Sequence, residues 1–587
     1  MAVVRSVGRC KAYAPQWPLL LLLPLLALAC LTPAAGQQPE PLVLSLASEP
    51  TIVVHALTFT LDGTTAPGAN VSVHHSGVWH PVSVNGTTGA FSTTLELPLG
   101  VTDVTVLATL GNASSTTHVR IERLEPLRHE REALPLIPLL VVGAIFAGTY
   151  LLLITEKVHR TIAAMFGALL MVITGYLVRP KGQPFFGVES AFESIDFNTI
   201  ALLLGMMIIV GVLSETGVFQ YLAIKAAQRA KGDYWRIMVL FVVLTASLSS
   251  LLDNVTTVLF MVPITVSIAR RLKVPVVPLI MAEVFASNIG GTATLIGDPP
   301  NIIIGNAVGI SFNEFVYHQG VIIALTTAAA LFFLRWQYGK ELRVAPTEVE
   351  RVLALDASKE IRNPMLLRRG VVVLIGVIGL FASSEFLKAY LHPELPVGVI
   401  ALGGAAVLLI MARLDIEKIV LAHIEWPTLL FFAGLFVLVG GVEHAGLLRL
   451  MGEGIASLTG GNLLVTILLV IWLSAFASAV IDNIPFTATM IPIVLALSAQ
   501  PALAHDLGAY AINPLWWALS IGACLGGNGT LVGASANLVA VGIAGRAGVE
   551  ISFKSFLRQG MPFMLFTTAV ATVLLVVFLQ VPGWYLR

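Results

Sequence analysis

The chain has 587 residues, of which 56% are hydrophobic and 12% are charged, where a soluble domain carries roughly 25% charged residues. A mean hydropathy of +0.87 makes lipid the solvent for most of it, so spans rather than domains are the unit to count. Lys plus Arg equals Asp plus Glu, with a formal net charge of +0, which removes the field expected of a nucleic-acid binder. The three cysteines, Cys10, Cys30 and Cys524, cannot build a disulfide framework or a Cys-rich metal site.

Residues 1–36 read as a secretory signal, with Arg5, Arg9 and Lys11 before an apolar run from Trp17 to Leu31 and small residues at Ala34-Ala35-Gly36; an uncleaved anchor is the alternative. Either places the following segment outside the cytoplasm. Residues 37–125 alternate short Val- and Thr-rich runs (Thr51 to Thr58, Val101 to Leu107) with turn signals at Asp62-Gly63, Pro67-Gly68 and Asn85-Gly86. This spacing predicts a small, Ig-like extracytoplasmic β-sandwich. Asn70, Asn85 and Asn112 begin glycosylation sequons, and His74, His75 and His80 read as surface histidines more readily than as a metal site.

Past the charged linker at Arg128 to Glu132, ordinary spans are expected near 134–155, 161–178, 198–218, 277–307, 319–335, 370–386, 396–412, 427–447, 513–543 and 561–580. Two longer apolar stretches, 237–270 and 463–498, are interrupted by Asp253-Asn254 and Asp482-Asn483-Ile484-Pro485, which predicts re-entrant hairpins. With the N-terminal domain outside, Lys157, Arg160, Lys225, Arg229, Lys231, Arg270, Arg271, Lys273, the charged loop 336–369, Arg413 and Lys418 fall inside, as the positive-inside rule requires; Arg179 and Lys181 do not. Trp426, Trp516, Trp517 and Trp584 are expected at the bilayer interface, as are Glu215, Glu443 and His444.

Three blocks recur in order. Ile195-Asp196-Phe197 with Thr199, Gly205, Gly211 and Gly217 returns as Ile424-Glu425-Trp426 with Thr428, Gly434, Gly440 and Gly446. Asp253-Asn254 with Pro263 returns as Asp482-Asn483 with Pro492, and Gly290-Gly291, Thr294, Gly297 and Asn301 as Gly526-Gly527, Thr530, Gly533 and Asn537. Five spans plus one hairpin in each copy, over 134–335 and 370–580, make the second copy upside down relative to the first. The expected fold is therefore a mainly α-helical polytopic membrane protein of two inverted repeats, the architecture of secondary transporters.

Unwound backbone at mid-membrane offers carbonyls and amides in place of water, Gly permits close approach, and Asn and Thr add neutral ligands. The candidate binding residues are Asp253, Asn254, Thr256 and Thr257 in the first hairpin, and Asn288, Gly290, Gly291, Thr292, Thr294, Asp298 and Asn301 in the first Gly-Gly segment. Asp482, Asn483 and Thr487 belong to the second hairpin, and Gly526, Gly527, Asn528, Thr530 and Asn537 to the second Gly-Gly segment. Glycines can also serve helix packing. Carboxylates at this depth cost about 2.5–3.5 kcal/mol on insertion scales, and for Asp253 and Asp482 both helix capping and ion coupling are open. Glu283, whose repeat counterpart is Leu519, is the proton-coupling candidate. Phosphate loops, nucleophile triads and paired-Cys metal motifs are missing from the sequence, so neither an enzyme nor a resident cofactor or metal is expected.

Asp482 to Pro492, Gly522 to Asn537 and Ile296-Gly297-Asp298-Pro299-Pro300-Asn301 resemble the melanosomal P-protein branch (oculocutaneous albinism type II) of the ion transporter superfamily. Less closely, they resemble its arsenite/antimonite permeases, sodium/proton antiporters and citrate and dicarboxylate carriers. The resemblance covers Leu134 to the C-terminus. It implies a homodimer moving a small ion, inorganic or anionic, by an elevator mechanism coupled to H+ or Na+. Hairpin tips reading Asp253-Asn254-Val255-Thr256 and Asp482-Asn483-Ile484-Pro485, rather than the Ser-Asn-Thr of carboxylate carriers, argue against a dicarboxylate. A lone membrane Cys524 argues against thiol-ligated arsenite. The alternatives are an anion channel of the same fold, a sodium-coupled dicarboxylate or citrate symporter, and a receptor; four polar breaks argue against the last. A multi-pass plasma-membrane location is expected.

Overall fold

A computed structural model describes residues 45–46, 51–54, 58–75, 78–85, 87–96, 100–110 and 113–123, then 134–155, 157–178, 184–231, 233–339, 355–388, 395–412, 416–581 and 585. The expected signal segment, Asn112, the linker from Arg128 to Glu132, Arg179, Lys181, Arg413, Trp584 and residues 340–354 of the charged loop lie outside these. The chain divides into two compact units, residues 1–128 and 129–587.

The first unit has two sheets. One is ordered β1-β3-β6, from β1 (Ser45–Leu46), β3 (Thr58–Thr64) and β6 (Ala90–Glu96); the other is ordered β2-β8-β7-β4-β5, from β2 (Thr51–Val54), β4 (Asn70–His75), β5 (Val78–Val82), β7 (Gly100–Leu110) and β8 (Ala113–Arg123). All pairings are antiparallel except β2 with β8, which is parallel. Val104, Val106 and Ala108 on β7 are fully buried and alternate with more exposed neighbours, the period of 2 that gives a strand one apolar face. His74 packs against Trp79, ring centroids 5.0 Å apart, and His80 is exposed.

The second unit is helical. Its first half runs α1 (Leu136–Thr155), α2 (Arg160–Leu177), α3 (Val188–Glu193), α4 (Phe197–Glu215), α5 (Val218–Arg229), α6 (Tyr234–Ser249), α7 (Asn254–Leu272), α8 (Val277–Gly291), α9 (Pro299–Val308) and α10 (Phe312–Tyr338), the last containing a π-helical turn at Val316–Gly320. The second half runs α11 (Pro364–Lys388), α12 (Val397–Ala412), α13 (Ile416–His423), α14 (Trp426–His444), α15 (Leu447–Thr459), α16 (Leu463–Val480), α17 (Asn483–Ser498), α18 (Pro501–Leu507), α19 (Pro514–Gly526), α20 (Ser535–Arg546) and α21 (Phe553–Leu579). The order α4–α10 recurs in α14–α21, with α18 added.

Among the described residues, nine helices are long and apolar enough to cross a membrane. The interruptions at Asp253 and Asp482 form as expected, each ending one helix and starting the next. The expected continuous spans 277–307 and 513–543 are instead broken in two. α8, with 15 residues, extends about 22 Å and α19, with 13, about 20 Å, both short of the ~30 Å hydrocarbon thickness. Gly290-Gly291 and Gly526-Gly527 sit at the breaks, where Pro299, Pro300 and Asn301 open α9 and Ser535 opens α20.

Packing exchanges these half-helices between the two halves of the chain. α8 packs on α6 and α19 on α16, but α9 packs on α17 and α20 on α7. Close approach needs the glycines: a Cβ at Gly290 would lie 2.2 Å from the Ala246 carbonyl oxygen on α6, and one at Gly526 would lie 2.5 Å from that of Ala475 on α16. Because α19 is enclosed on all sides, Trp516 and Trp517 are buried rather than interfacial. Trp517 packs among Phe315, His318 and Tyr585, with centroids 5.1, 5.4 and 6.3 Å away. His444 is likewise buried, its Nδ1 2.8 Å from the Gly440 carbonyl and its ring edge-on to Phe186. Trp426 and Glu215 are exposed. Met206 and Met207 belong to the core.

Gly290→Ala and Gly526→Ala are expected to push these helix pairs apart at about 1–3 kcal/mol each, read as a lower unfolding temperature in detergent. Gly376→Ala, whose Cβ would meet nothing within 4 Å, leaves that temperature unchanged.

Candidate functional site

The exchange of half-helices gathers Asn254, Asn288, Asn528 and Asn537 into one buried network. Asn254, first residue of α7, directs Oδ1 to Ser249 Oγ at 2.6 Å and donates through Nδ2 to Asn288 Oδ1 at 3.4 Å. Asn288 Nδ2 donates onward to Asn528 Oδ1 at 2.9 Å and Asn537 Oδ1 at 3.1 Å, both in the second half of the chain. Asn254, Asn288, Asn528 and Asn537 are at most 4% exposed. Amides suit this place because each carries both a donor and an acceptor, so a chain of them satisfies itself without a net charge.

Asp298 lies at the start of α9, in the N-cap position, yet makes no capping bond to its own helix. Both carboxylate oxygens instead accept from Asn483 Nδ2, at 3.3 and 3.2 Å, at the start of α17 in the other half of the chain. Asp298 is 1% exposed and Asn483 3%. The other two acidic breaks behave differently. Asp253 caps α7, accepting from the Thr256 amide at 2.9 Å and from its hydroxyl, and Asp482 caps α17 through the Ile484 amide at 3.1 Å. Asp482 also accepts from Ser535 Oγ and lies 3.5 Å from Arg160.

Several of the remaining predicted residues hold the breaks in shape. Asn301 Nδ2 donates to the carbonyls of Gly291, Thr292 and Thr294 at 3.2, 3.2 and 2.9 Å; Asn537 Nδ2 does the same to Gly527 and Thr530 at 2.7 and 2.8 Å. Thr294 and Thr530 bond back to the carbonyls of Ser250 and Ala479, and Thr292 and Thr487 to those of Asn288 and Asn483. Unwound backbone in an apolar medium must find such partners. Thr257 Oγ1 and Asn528 Nδ2, both buried, have no hydrogen-bond partner among the described residues. Thr257 Oγ1 is an oxygen able to face a cation or a water, whereas Asn528 Nδ2 can only donate, to a water or an anion.

Glu283 is fully buried on α8, where Oε1 accepts from Thr265 Oγ1 at 2.5 Å and Oε2 has no partner among the described residues. Thr265 and Glu283 both belong to the first half of the chain, so this carboxyl does not bridge the two halves as Asp298 does.

Other participants were not evident in the sequence. Ser249 and Ser478 reach the Ser287 and Ala523 carbonyls at 2.8 and 2.6 Å in matching positions; their shared offset of four residues before Asp253 and Asp482 was the available signal. Ser520 donates to Asn301 Oδ1 and to Gln319 Oε1, and the π-helical turn of α10 carries Gln319. No sequence pattern announced that turn. Arg160 read only as an inside charge, but it donates to Ser535 Oγ and to Thr428 Oγ1 at 3.2 Å.

Residues 150–522 match the citrate transporter family (CitMHS). An uncharacterized transporter of Mycobacterium tuberculosis is 41% identical over 437 residues, covering 74% of this chain and 97% of that protein. The human P protein is 38% identical over 517 residues, covering 76% of this chain and 60% of that protein. Among solved structures, the YdaH transporter of Alcanivorax borkumensis superposes with a TM-score of 0.48 at 17% identity, covering 72% of this chain and 98% of that one. By the extent of the family match and the identity to the mycobacterial protein, the chain belongs to the citrate transporter family and is a multi-pass membrane transporter.

Proposed function

We propose that the protein is a secondary active transporter of a small ion, coupled to H+ or Na+, with the two halves of the helical unit acting as inverted repeats. The observation that carries this reading is the Asp298–Asn483 contact, in which a buried carboxylate at one backbone break is held by the hairpin tip of the other half. The Asp298 carboxylate and the side-chain oxygens of the Asn and Thr residues in this network are hard donors, which suit a hard cation or a proton rather than a soft metal. Asp298, Asn483, Asn254, Asn288, Asn528 and Thr257 form the coupling-ion region in this reading.

The packing also supports an elevator-type movement. α6–α10 with α16, α17 and α19–α21 form an interlocked body, whereas α4 with α12, α2 with α14, and α11 with α12 pack among themselves. In this reading the second group is the scaffold and carries the contact of a homodimer. The first body shifts against it, and the β-sheet unit lies outside the cell membrane. α5 and α15, which follow Gly217 and Gly446 in left-handed backbone (φ 81° and 78°) and touch the hairpins, are the connecting arms.

Purified protein in liposomes with imposed proton, sodium, chloride, phosphate and citrate gradients tests the assignment. Saturable flux of one ion that depends on a second is expected from the wild type, and Asp298→Asn reduces that coupled flux to the protein-free background. Unchanged flux in Asp298→Asn, or a conductance that neither saturates nor depends on a second ion, refutes the mechanism. Glu283→Gln separates the coupling ions: it abolishes flux driven by a proton gradient and spares flux driven by sodium. Loss of both with a lowered unfolding temperature assigns Glu283 a packing role through Thr265.

A further inference from the structure

A second polar locus lies apart from the asparagine network. A cavity of about 300 Å³ is lined by Leu153, His159, Arg160, Phe431, Asp482, Ser535 and further residues of α17, α20 and the segments preceding α2 and α20. Its one guanidinium is held loosely. Arg160 has five N–H donors, but among the described residues its acceptors are two hydroxyls, Ser535 Oγ and Thr428 Oγ1. Asp482 Oδ2 stands at 3.5 Å, beyond the roughly 2.7–2.9 Å of a charge-assisted bond. Phe431 covers one side, its ring centroid 5.6 Å from Cζ.

Asp482 does not need Arg160. Its carboxylate already accepts from the Ile484 amide and from Ser535 Oγ. Releasing the guanidinium therefore leaves Asp482 bonded, whereas Arg160 keeps fork positions suited to a planar carboxylate or a tetrahedral oxyanion. The side chains of Arg160 and Asp482 are 31% and 17% exposed, so the pair is sheltered yet open to an incoming ion. The volume sits at the small end of ligand clefts, about 300–1,000 Å³, which suits a small anion.

We propose that Arg160 is the recognition residue for an anionic cargo, a small carboxylate or oxyanion that takes the place of the Asp482 carboxylate on the guanidinium. This deepens the transport reading above and rests on it. Arg160 and Thr428 belong to the proposed scaffold, and Asp482 and Ser535 to the proposed moving body, so the same exchange loosens a scaffold-to-body ion pair at the moment cargo arrives.

The test uses full-length protein with citrate and phosphate as probes, at fixed ionic strength and sodium concentration. Thermal unfolding in detergent reads binding, and liposome uptake reads KM and kcat separately. At least one probe stabilises the wild type. Arg160→Gln raises the half-saturating concentration and the KM at least tenfold, while its unfolding temperature without anion and its response to sodium stay unchanged. Arg160→Lys recovers part of the loss, since a point charge lacks the fork. Asp482→Asn, made on an intact Arg160, lowers the half-saturating concentration severalfold, which keeps the test decisive if Arg160→Gln fails to fold.

The proposal is overturned if neither probe shifts wild-type unfolding, if Arg160→Gln alters kcat alone, or if Asp482→Asn weakens anion binding. Cation-driven flux without any anion response leaves the transporter standing and removes the anion site. Anion-dependent stabilisation without any flux does the reverse.

Discussion

The structure depends on one constraint: inside an apolar medium, backbone that leaves a helix must find its hydrogen bonds within the protein. α8 and α19 are too short to cross a bilayer's hydrocarbon core, and the carbonyls they leave behind are taken by Asn301 and Asn537, whose side-chain amides fold back over the Gly-Gly turns. That solution places asparagines at the centre of the molecule. Their remaining oxygens and the neighbouring amides then have to satisfy one another, and the result is a polar chain running from Ser249 to Asn537 across both halves. The site is thus a consequence of how the breaks are stabilised.

The two halves share this scaffolding and differ in their chemistry. Ser249 and Ser478, Thr294 and Thr530, and Asn301 and Asn537 make equivalent bonds. At the positions that face the centre the equivalence ends: Asp298 corresponds to Ala534, Asn288 to Cys524 and Glu283 to Leu519. A repeated frame with unequal contents leaves Asp298 and Glu283 without acidic counterparts, and the exchange of α9 and α20 between the two halves brings Asp298 to Asn483.

Much of this was legible in the chain. Acidic breaks inside long apolar runs, paired glycines and three blocks that each occur twice are signals with direct physical causes, because a charge or a glycine pair in lipid-facing helix is costly unless it does something else. The helix starts at Asn254 and Asn483 followed from Asp at the N-cap. The continuous spans 277–307 and 513–543 were misread because apolar content does not distinguish one long helix from two half-helices joined by a small-residue turn. Trp516 and Trp517 were misread for a related reason: hydropathy identifies an apolar segment without saying whether lipid or protein surrounds it.

Local composition and the solvation of single segments are enough to put the chain in a membrane, to break its helices at Asp253 and Asp482, and to name the polar residues that stand there. Long-range packing sets the rest: Asp298 is held by the other half while Asp253 and Asp482 cap their own helices, and Arg160 meets Ser535 from 375 residues away. Those outcomes depend on which half-helix packs on which hairpin, and that choice is made by long-range fit between small-residue faces, which no local pattern encodes.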